Sequence, residues 1–200
     1  MQEKSDEKTE PQEESKKELL KGISLLMEGE KSTAVSGKEA ADFEGAGTEA
    51  SPYEITSAAD LKKLAENVKN GTDYEGKYFQ LTVNIDLKNE EWTPIGTIVY
   101  TGEFGRSEER YFKGTFDGDG HQIANLTITG RNEYVGLFGY VRNATIQNCN
   151  VAGEVSGYNA VGGIVGAVDG KTNNILNCSF QGNVTGNVYV GGIVGQVQNQ

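Results

Sequence analysis

His121 is the only histidine in a chain of 200 residues, and that limits the chemistry the chain can carry. A His-Glu-x-x-His zinc helix needs two histidines, so a single-chain zinc peptidase of that type is excluded. A serine or cysteine triad would have to run through His121. It follows Asp117-Gly118-Asp119-Gly120 with no nucleophile motif beside it, and reads as a turn residue. Those four residues have the spacing that opens a calcium loop, yet Ile128 stands where the closing glutamate belongs. The pairs Glu90-Glu91 and Glu108-Glu109 have the residue types of glycosidase acids, but adjacent charges in polar stretches are ordinarily solvated. Cys149 and Cys178 fit no zinc spacing and are too few for a disulfide framework. The reading is non-enzymatic, with no catalytic residue, no metal site and no cofactor.

Binding is the chemistry left. Tyr158 and Tyr189 flank glycine-rich corners, where a flat ring can stack on a sugar or a peptide. In the polar stretch 97–111, Phe104 and Arg106 are further candidate contacts. A host protein or a glycan is the partner class these residues fit. Nucleic acid is not, because the formal net charge is −11 and no basic cluster interrupts it. No apolar run reaches bilayer-spanning length, so no membrane insertion is expected. The opening Met-Gln-Glu-Lys-Ser-Asp lacks the apolar core of a signal peptide.

Residues 1–50 hold 13 acidic residues against 7 lysines, so self-repulsion predicts a disordered acidic tether. The texture changes near 51. Ser57 is a plausible N-cap, and Leu61, Leu64, Ala65 and Val68 fall at helical spacing before Asn70-Gly71, which predicts an amphipathic helix. Phe79, Leu81, Val83, Ile85 and Leu87 then alternate with polar residues, the period of a half-buried strand. Residues 51–96 read as an entry and cap segment, 97–111 as a polar insertion, and 112–200 as repeats.

Three blocks recur in the repeat region. Ile123-Ala124-Asn125-Leu126-Thr127-Ile128 matches segments starting at Ile146 and Ile175, at offsets of 23 and 29 residues. Gly136-Leu137-Phe138-Gly139 returns as Gly163-Ile164-Val165-Gly166 and Gly192-Ile193-Val194-Gly195, at offsets of 27 and 29. Gly153-Glu154-Val155-Ser156-Gly157 returns 29 residues later at Gly182. Units this short cannot bury their own apolar residues, but stacked copies can. The expected fold is all-β, a parallel β-helix with an N-terminal capping helix. Stacking would align Ile123, Ile146 and Ile175 in one inward column and Leu126, Cys149 and Cys178 in another, with Ile128, Val151 and Phe180 in a third. Asn125, Asn148 and Asn177 would form a ladder at a turn.

The Gly-Leu-Phe-Gly and Gly-Ile-Val-Gly blocks resemble the GLUG repeat of bacterial surface proteins. Residues 112–126 are similar to the motif that opens it, and Tyr53-Glu54-Ile55, Ile85-Asp86-Leu87 and Trp92-Thr93-Pro94-Ile95-Gly96 to the segment that precedes it. The resemblance covers about residues 51–200. It implies a right-handed β-helix in secreted or cell-surface proteins, among them adhesin-like chains and the non-catalytic regions of immunoglobulin A-specific metallopeptidases. It supplies no catalytic residues. The expected function is therefore adhesion, ligand binding or display, or else service as the accessory region of a larger secreted hydrolase. After Gly195 the last coil reads as unfinished, which predicts continuation of the chain or end-to-end self-association.

Overall fold

The computed structural model describes residues 43–101 and 106–198, and shows a parallel β-solenoid of about five turns with one short helix at its start. β1 (Tyr53–Ile55) opens the first coil and is followed by α1 (Ala58–Lys69). The second coil carries β2 (Tyr78–Leu81) and β3 (Ile85–Asp86). An antiparallel hairpin of β4 (Thr97–Thr101) and β5 (Arg106–Arg110) then leaves it. The third coil is β6 (Thr115–Asp117), β7 (Gln122–Ile128), β8 (Glu133–Val135) and β9 (Phe138–Arg142). Below it lie β10 (Thr145–Gln147), β11 (Asn150–Ser156), β12 (Asn159–Gly162) and β13 (Val165–Asp169). The fifth coil is β14 (Asn174–Leu176), β15 (Ser179–Thr185), β16 (Val188–Gly191) and β17 (Val194–Gln198). Equivalent strands pair in parallel to make four walls, ordered β1-β2-β6-β10-β14, β3-β7-β11-β15, β8-β12-β16 and β9-β13-β17.

The helix forms where the capping signals place it. Ser57 Oγ accepts from the Asp60 amide, while the Asp60 carboxylate accepts from the Thr56 amide and from the Thr56 and Ser57 hydroxyls. Burial raises the Asp60 pKa, but these hydrogen bonds outweigh it and hold the carboxyl below its usual range. Leu61, Leu64, Ala65 and Val68 are buried against the solenoid core.

Two expectations need correction. The first concerns the ordered unit, which begins before residue 51. Phe43 is buried against the rings of Tyr53, Tyr74 and Phe79, and Glu44 and Gly47 carbonyls accept backbone bonds from Glu54 and Tyr78. The acidic composition of 1–50 as a whole concealed the aromatic anchor Phe43 near its end. The rest of the predicted tether, residues 1–42, lies outside the described residues.

The second concerns the ladder. Ile146 pairs with Ile175 below and with Phe116 above, extending the column through Phe79 to Tyr53. Ile123 stands in a different wall, paired with Val151 and Ile85, and Val151 pairs with Phe180. Leu126 lies opposite Gly153 and Ile128 opposite Val155, so neither joins its expected column. The true repeat is 26 to 30 residues, as Val135↔Val161 and Phe116↔Ile146 show. The offset of 23 arose because one local motif serves two places. Asn148 and Asn177 turn the corner between successive walls, whereas Asn125 is the extra residue of a β-bulge inside β7, at the register shift against Val151 and Gly153. All three need a left-handed backbone, with φ of 60° at Asn125 and 51° at Asn148 and Asn177, and asparagine tolerates that conformation best among residues with a side chain. The asparagine ladder thus runs from Asn177 to Asn148 to Asp117, with amide donations at 3.2 and 2.9 Å, while Asn125 donates separately to Asp86.

Cys149 and Cys178 occupy equivalent positions on adjacent coils, one residue before the paired Asn150 and Ser179. Both are free thiols, Cys149 buried in the core and Cys178 partly so. The glycine blocks have a steric cause. A Cβ at Gly139, Gly166 or Gly195 would lie 2.5–2.6 Å or less from the backbone of the neighbouring wall or coil, so the two walls β8-β12-β16 and β9-β13-β17 meet in a corner that only glycine fits.

Candidate functional site

The hairpin is the largest departure from the repeat among the described residues, and it builds the candidate site. Its bases are held in the solenoid, where Ile95 bridges Phe138 and Phe112 bridges Val141. Both of these bridges reach β9, so residues 97–110 are an insertion within the second coil's part of that wall, which accounts for the polar stretch between the entry motifs. Beside the hairpin lies a cleft of about 430 Å³. β4 contributes Tyr100, which is 71% exposed. The turn before β8 and β8 itself contribute Arg131, Asn132, Glu133 and Tyr134. The floor holds Trp92, whose indole N–H donates to the Leu137 carbonyl at 3.0 Å.

A second layer sits under the hairpin on the outer surface of the corner. Tyr134 stacks on Tyr140 with ring centroids 5.0 Å apart and 14° between planes. Tyr111 also packs against Tyr140, at 4.5 Å. The rings lie over Ala160 and Ala167, which are fully buried and small enough to allow it. Polar ends close the cluster: the Tyr111 hydroxyl donates to Glu109, and the Arg142 guanidinium lies 4.0 Å from the Tyr111 ring centroid while pairing with Asp169. Asp169 is the one buried charged residue among those described. Burial, joined by the Glu109 contact at Tyr111, pushes the phenols of Tyr111, Tyr134 and Tyr140 upward from the ordinary tyrosine range. They are neutral hydrogen-bonding groups at any physiological pH. Desolvation lowers the Arg142 pKa, but its pairing with Asp169 more than reverses this.

The expected contacts scatter around this site. Tyr158 is exposed one coil below the cleft. Its ring lies 5.6 Å from the Arg131 guanidinium, and its amide donates to the Asn132 carbonyl at 2.7 Å. Tyr189 is exposed two coils below Tyr134 in the same column, with Ala160 between them. Phe104 lies outside the described residues; Arg106 belongs to β5, and only its backbone is described. Sequence reasoning missed Tyr100, Tyr111, Tyr134 and Tyr140. One signal was available: Tyr134-Val135-Gly136 repeats as Tyr189-Val190-Gly191, so the reasoning that selected Tyr189 applies equally to Tyr134.

The remaining chemistry-bearing residues stay apart. His121 closes a turn by donating its amide to the Gly118 carbonyl. The Asp117 carboxylate accepts from Gln147, Asn148 and the Asp119 amide. Glu90 pairs with Lys62, Glu91 accepts from Thr129, and Glu108 pairs with Arg110. Among the described residues, no three His, Cys, Asp or Glu side chains group as metal ligands, and no helix is long and apolar enough to cross a membrane.

Fold and cleft together define a parallel β-solenoid with a grafted hairpin. Over 143 residues the chain is 33% identical to a halomucin of Haloquadratum walsbyi, a match covering 66% of this chain and 2% of that protein. Over 140 residues it is 31% identical to a protein of Evansella cellulosilytica provisionally named a Gly-rich membrane protein, covering 66% of this chain and 14% of the other. The chain thus spans only a small part of the curated relatives it matches. A solved structure provisionally described as an immunoglobulin A1 protease from Bacteroides ovatus aligns over 78% of this chain and 65% of its own, with 23% identity and a TM-score of 0.42. No protein-family model matches the chain.

Proposed function

We propose that this chain is a non-catalytic repeat module of GLUG type, secreted or displayed at the cell surface, that acts in adhesion by binding a ligand beside its hairpin. The observation that carries this reading is the cleft itself. An otherwise regular solenoid interrupts one coil to raise a hairpin, and the interruption sets an exposed tyrosine across from a polar turn. Ligand sites on repeat scaffolds arise at such insertions, because the stacked walls supply rigidity and the loops supply chemistry. The names of the two relatives, a halomucin and a Gly-rich membrane protein, support a place at the surface. The acidic chain, with its single histidine, supports a role without catalysis.

The test is a binding screen of the 200-residue chain against matrix proteins, mucins, glycans and peptides, with hydrolysis of each monitored in parallel. Saturable binding with no turnover is expected. Absence of binding to every class, or turnover of any ligand, would overturn the reading.

A further inference from the structure

We infer that the cleft beside the hairpin is a carbohydrate subsite that takes a neutral, hydroxyl-rich sugar, with Tyr100 and Tyr134 as stacking faces and Arg131, Asn132 and Glu133 as hydroxyl partners. This rests on the binding-module reading and assigns its ligand class. A pyranose has two kinds of surface: an apolar patch of C–H groups that packs on an aromatic face, and a rim of hydroxyls that wants both donors and acceptors. The cleft offers both. Tyr134 is fixed from behind by its stack on Tyr140 and lines the cleft, so it is ordered before any ligand arrives. Tyr100 stands on the opposite bank, on β4.

The polar rim is equally specific. Arg131, Asn132 and Glu133 are consecutive, exposed and in the cleft lining. Arg131 supplies donors, Glu133 acceptors, and Asn132 one of each. None of these three side chains makes a hydrogen bond or ion pair to another described residue, apart from the stacking of Arg131 toward Tyr158. Their capacity is therefore open to a ligand. Glu91, the other carboxylate of the lining, already accepts from Thr129. Two carboxylates against one guanidinium in the lining, on a chain of net charge −11, disfavour an anion such as a uronate, sulfated sugar or phosphate. The cleft volume of about 430 Å³ is in the range of small-ligand sites, roughly 300–1,000 Å³, which accommodates one or two sugar residues.

The experiment is an array of neutral and acidic oligosaccharides and of peptides, followed by titration calorimetry on neutral sugars that bind. Three variants of the same 200-residue chain are compared: Tyr100→Ala, Glu133→Gln and, outside the cleft, Tyr189→Ala. Tyr100 and Glu133 are exposed, so their replacement leaves the fold intact, which circular dichroism checks. Expected are binding to neutral sugars, about tenfold weaker affinity in Tyr100→Ala and Glu133→Gln, equivalent to roughly 1.4 kcal/mol, and unchanged affinity in Tyr189→Ala. Neutral-sugar binding that survives both cleft substitutions would overturn the cleft assignment and leave the binding-module reading standing. Binding to peptides or acidic sugars alone would overturn the ligand class. No binding to any class would sink both readings together.

Discussion

Tyr140 in the third coil donates its hydroxyl to Gln198 Oε1 in the fifth, across a 2.7 Å hydrogen bond that passes over Ala167 of the coil between. One side chain thus ties together coils whose residues are 58 positions apart, outside the ladder of backbone bonds. Tyr140→Phe removes only the hydroxyl and leaves a partly buried amide oxygen short of a partner, so a loss of about 1 kcal/mol is expected. Tyr140→Ala also unstacks Tyr134 and Tyr111 and should cost about 3–5 kcal/mol, the range for large aromatic truncations. Urea unfolding monitored by circular dichroism checks both. Equal stability in the two variants would show that the ring does not bridge the coils.

Equivalent glycines should respond very differently to alanine. At Gly163 an added methyl carbon would lie 2.3 Å from the Phe180 ring and 2.4 Å from the Gly192 carbonyl oxygen, whereas at Gly192 nothing lies within 4 Å. Gly163→Ala is expected to destabilise by roughly 1–3 kcal/mol, the usual cost of overpacking. Gly192→Ala should be close to neutral. The comparison is made on melting temperatures of the two purified variants, and a neutral Gly163→Ala would contradict the stacking of the fourth coil on the fifth.

The legible parts of this fold were those written as period and punctuation. The helix was marked by Ser57 and by four apolar residues on one face, and the glycine blocks marked the corner. The column of Ile146 and Ile175 was legible because their offset of 29 matches the true coil length. Ile123 was misplaced because Asn125 copies the corner asparagine for a different purpose, and a bulge leaves no trace in a residue pattern beyond the asparagine itself. Tyr140 was illegible for another reason. Its partners, Tyr111 and Gln198, are brought to it by stacking, so the cluster exists only once the coils are in register. The hairpin could be marked off as an insertion, but not as the bank of a cleft.

Acid should loosen the corner that Asp117 anchors. Burial raises the Asp117 pKa, but donations from Asn148, Gln147 and the Asp119 amide outweigh it, and the net shift is downward. The folded state therefore binds the proton less readily than the unfolded chain. Stability from this group is fully present above the unfolded aspartate value of about 3.9 and disappears as pH falls through the lower folded value. Unfolding free energy is expected to hold steady from neutrality to about pH 5 and to drop below about pH 4. Asp117→Asn should lessen that drop. An unchanged acid limb in the variant would remove Asp117 from the account.

The two thiols should react at different rates although they occupy the same place in successive repeats. Cys149 is wholly buried, and burial pushes its thiol far above the ordinary cysteine range; Cys178 is also raised by burial but remains partly accessible. Since the thiolate is the reactive form, a maleimide or disulfide reagent should modify Cys178 first and Cys149 only on unfolding. Mass spectrometry of timed digests gives the order. Rapid labelling of Cys149 in the native protein would place it outside the core.

The last expectation concerns the fifth coil in this 200-residue chain. Ile175, Cys178, Phe180, Val184, Ile193 and Val194 are only partly buried, while their counterparts Ile146, Cys149, Val151, Val155, Ile164 and Val165 are buried. Val190 is 45% exposed although Val135 and Val161, in the same column, are buried. Among the described residues nothing covers this row of apolar columns and strand edges, and such a row favours pairing with another strand. At the other end α1 buries Leu61 and Leu64 in the core, so a copy finds an open edge at the fifth coil but a helix at the first. Two copies joined through their fifth coils form a closed two-fold contact rather than a fibre. Light scattering should show a concentration-dependent dimer. Val190→Lys places a charge on the open column, where it can reach solvent, and should shift the equilibrium to monomer at little cost in stability. A wild-type chain that stays monomeric at high concentration would refute the pairing, and growth beyond a dimer would refute the protection assigned to α1.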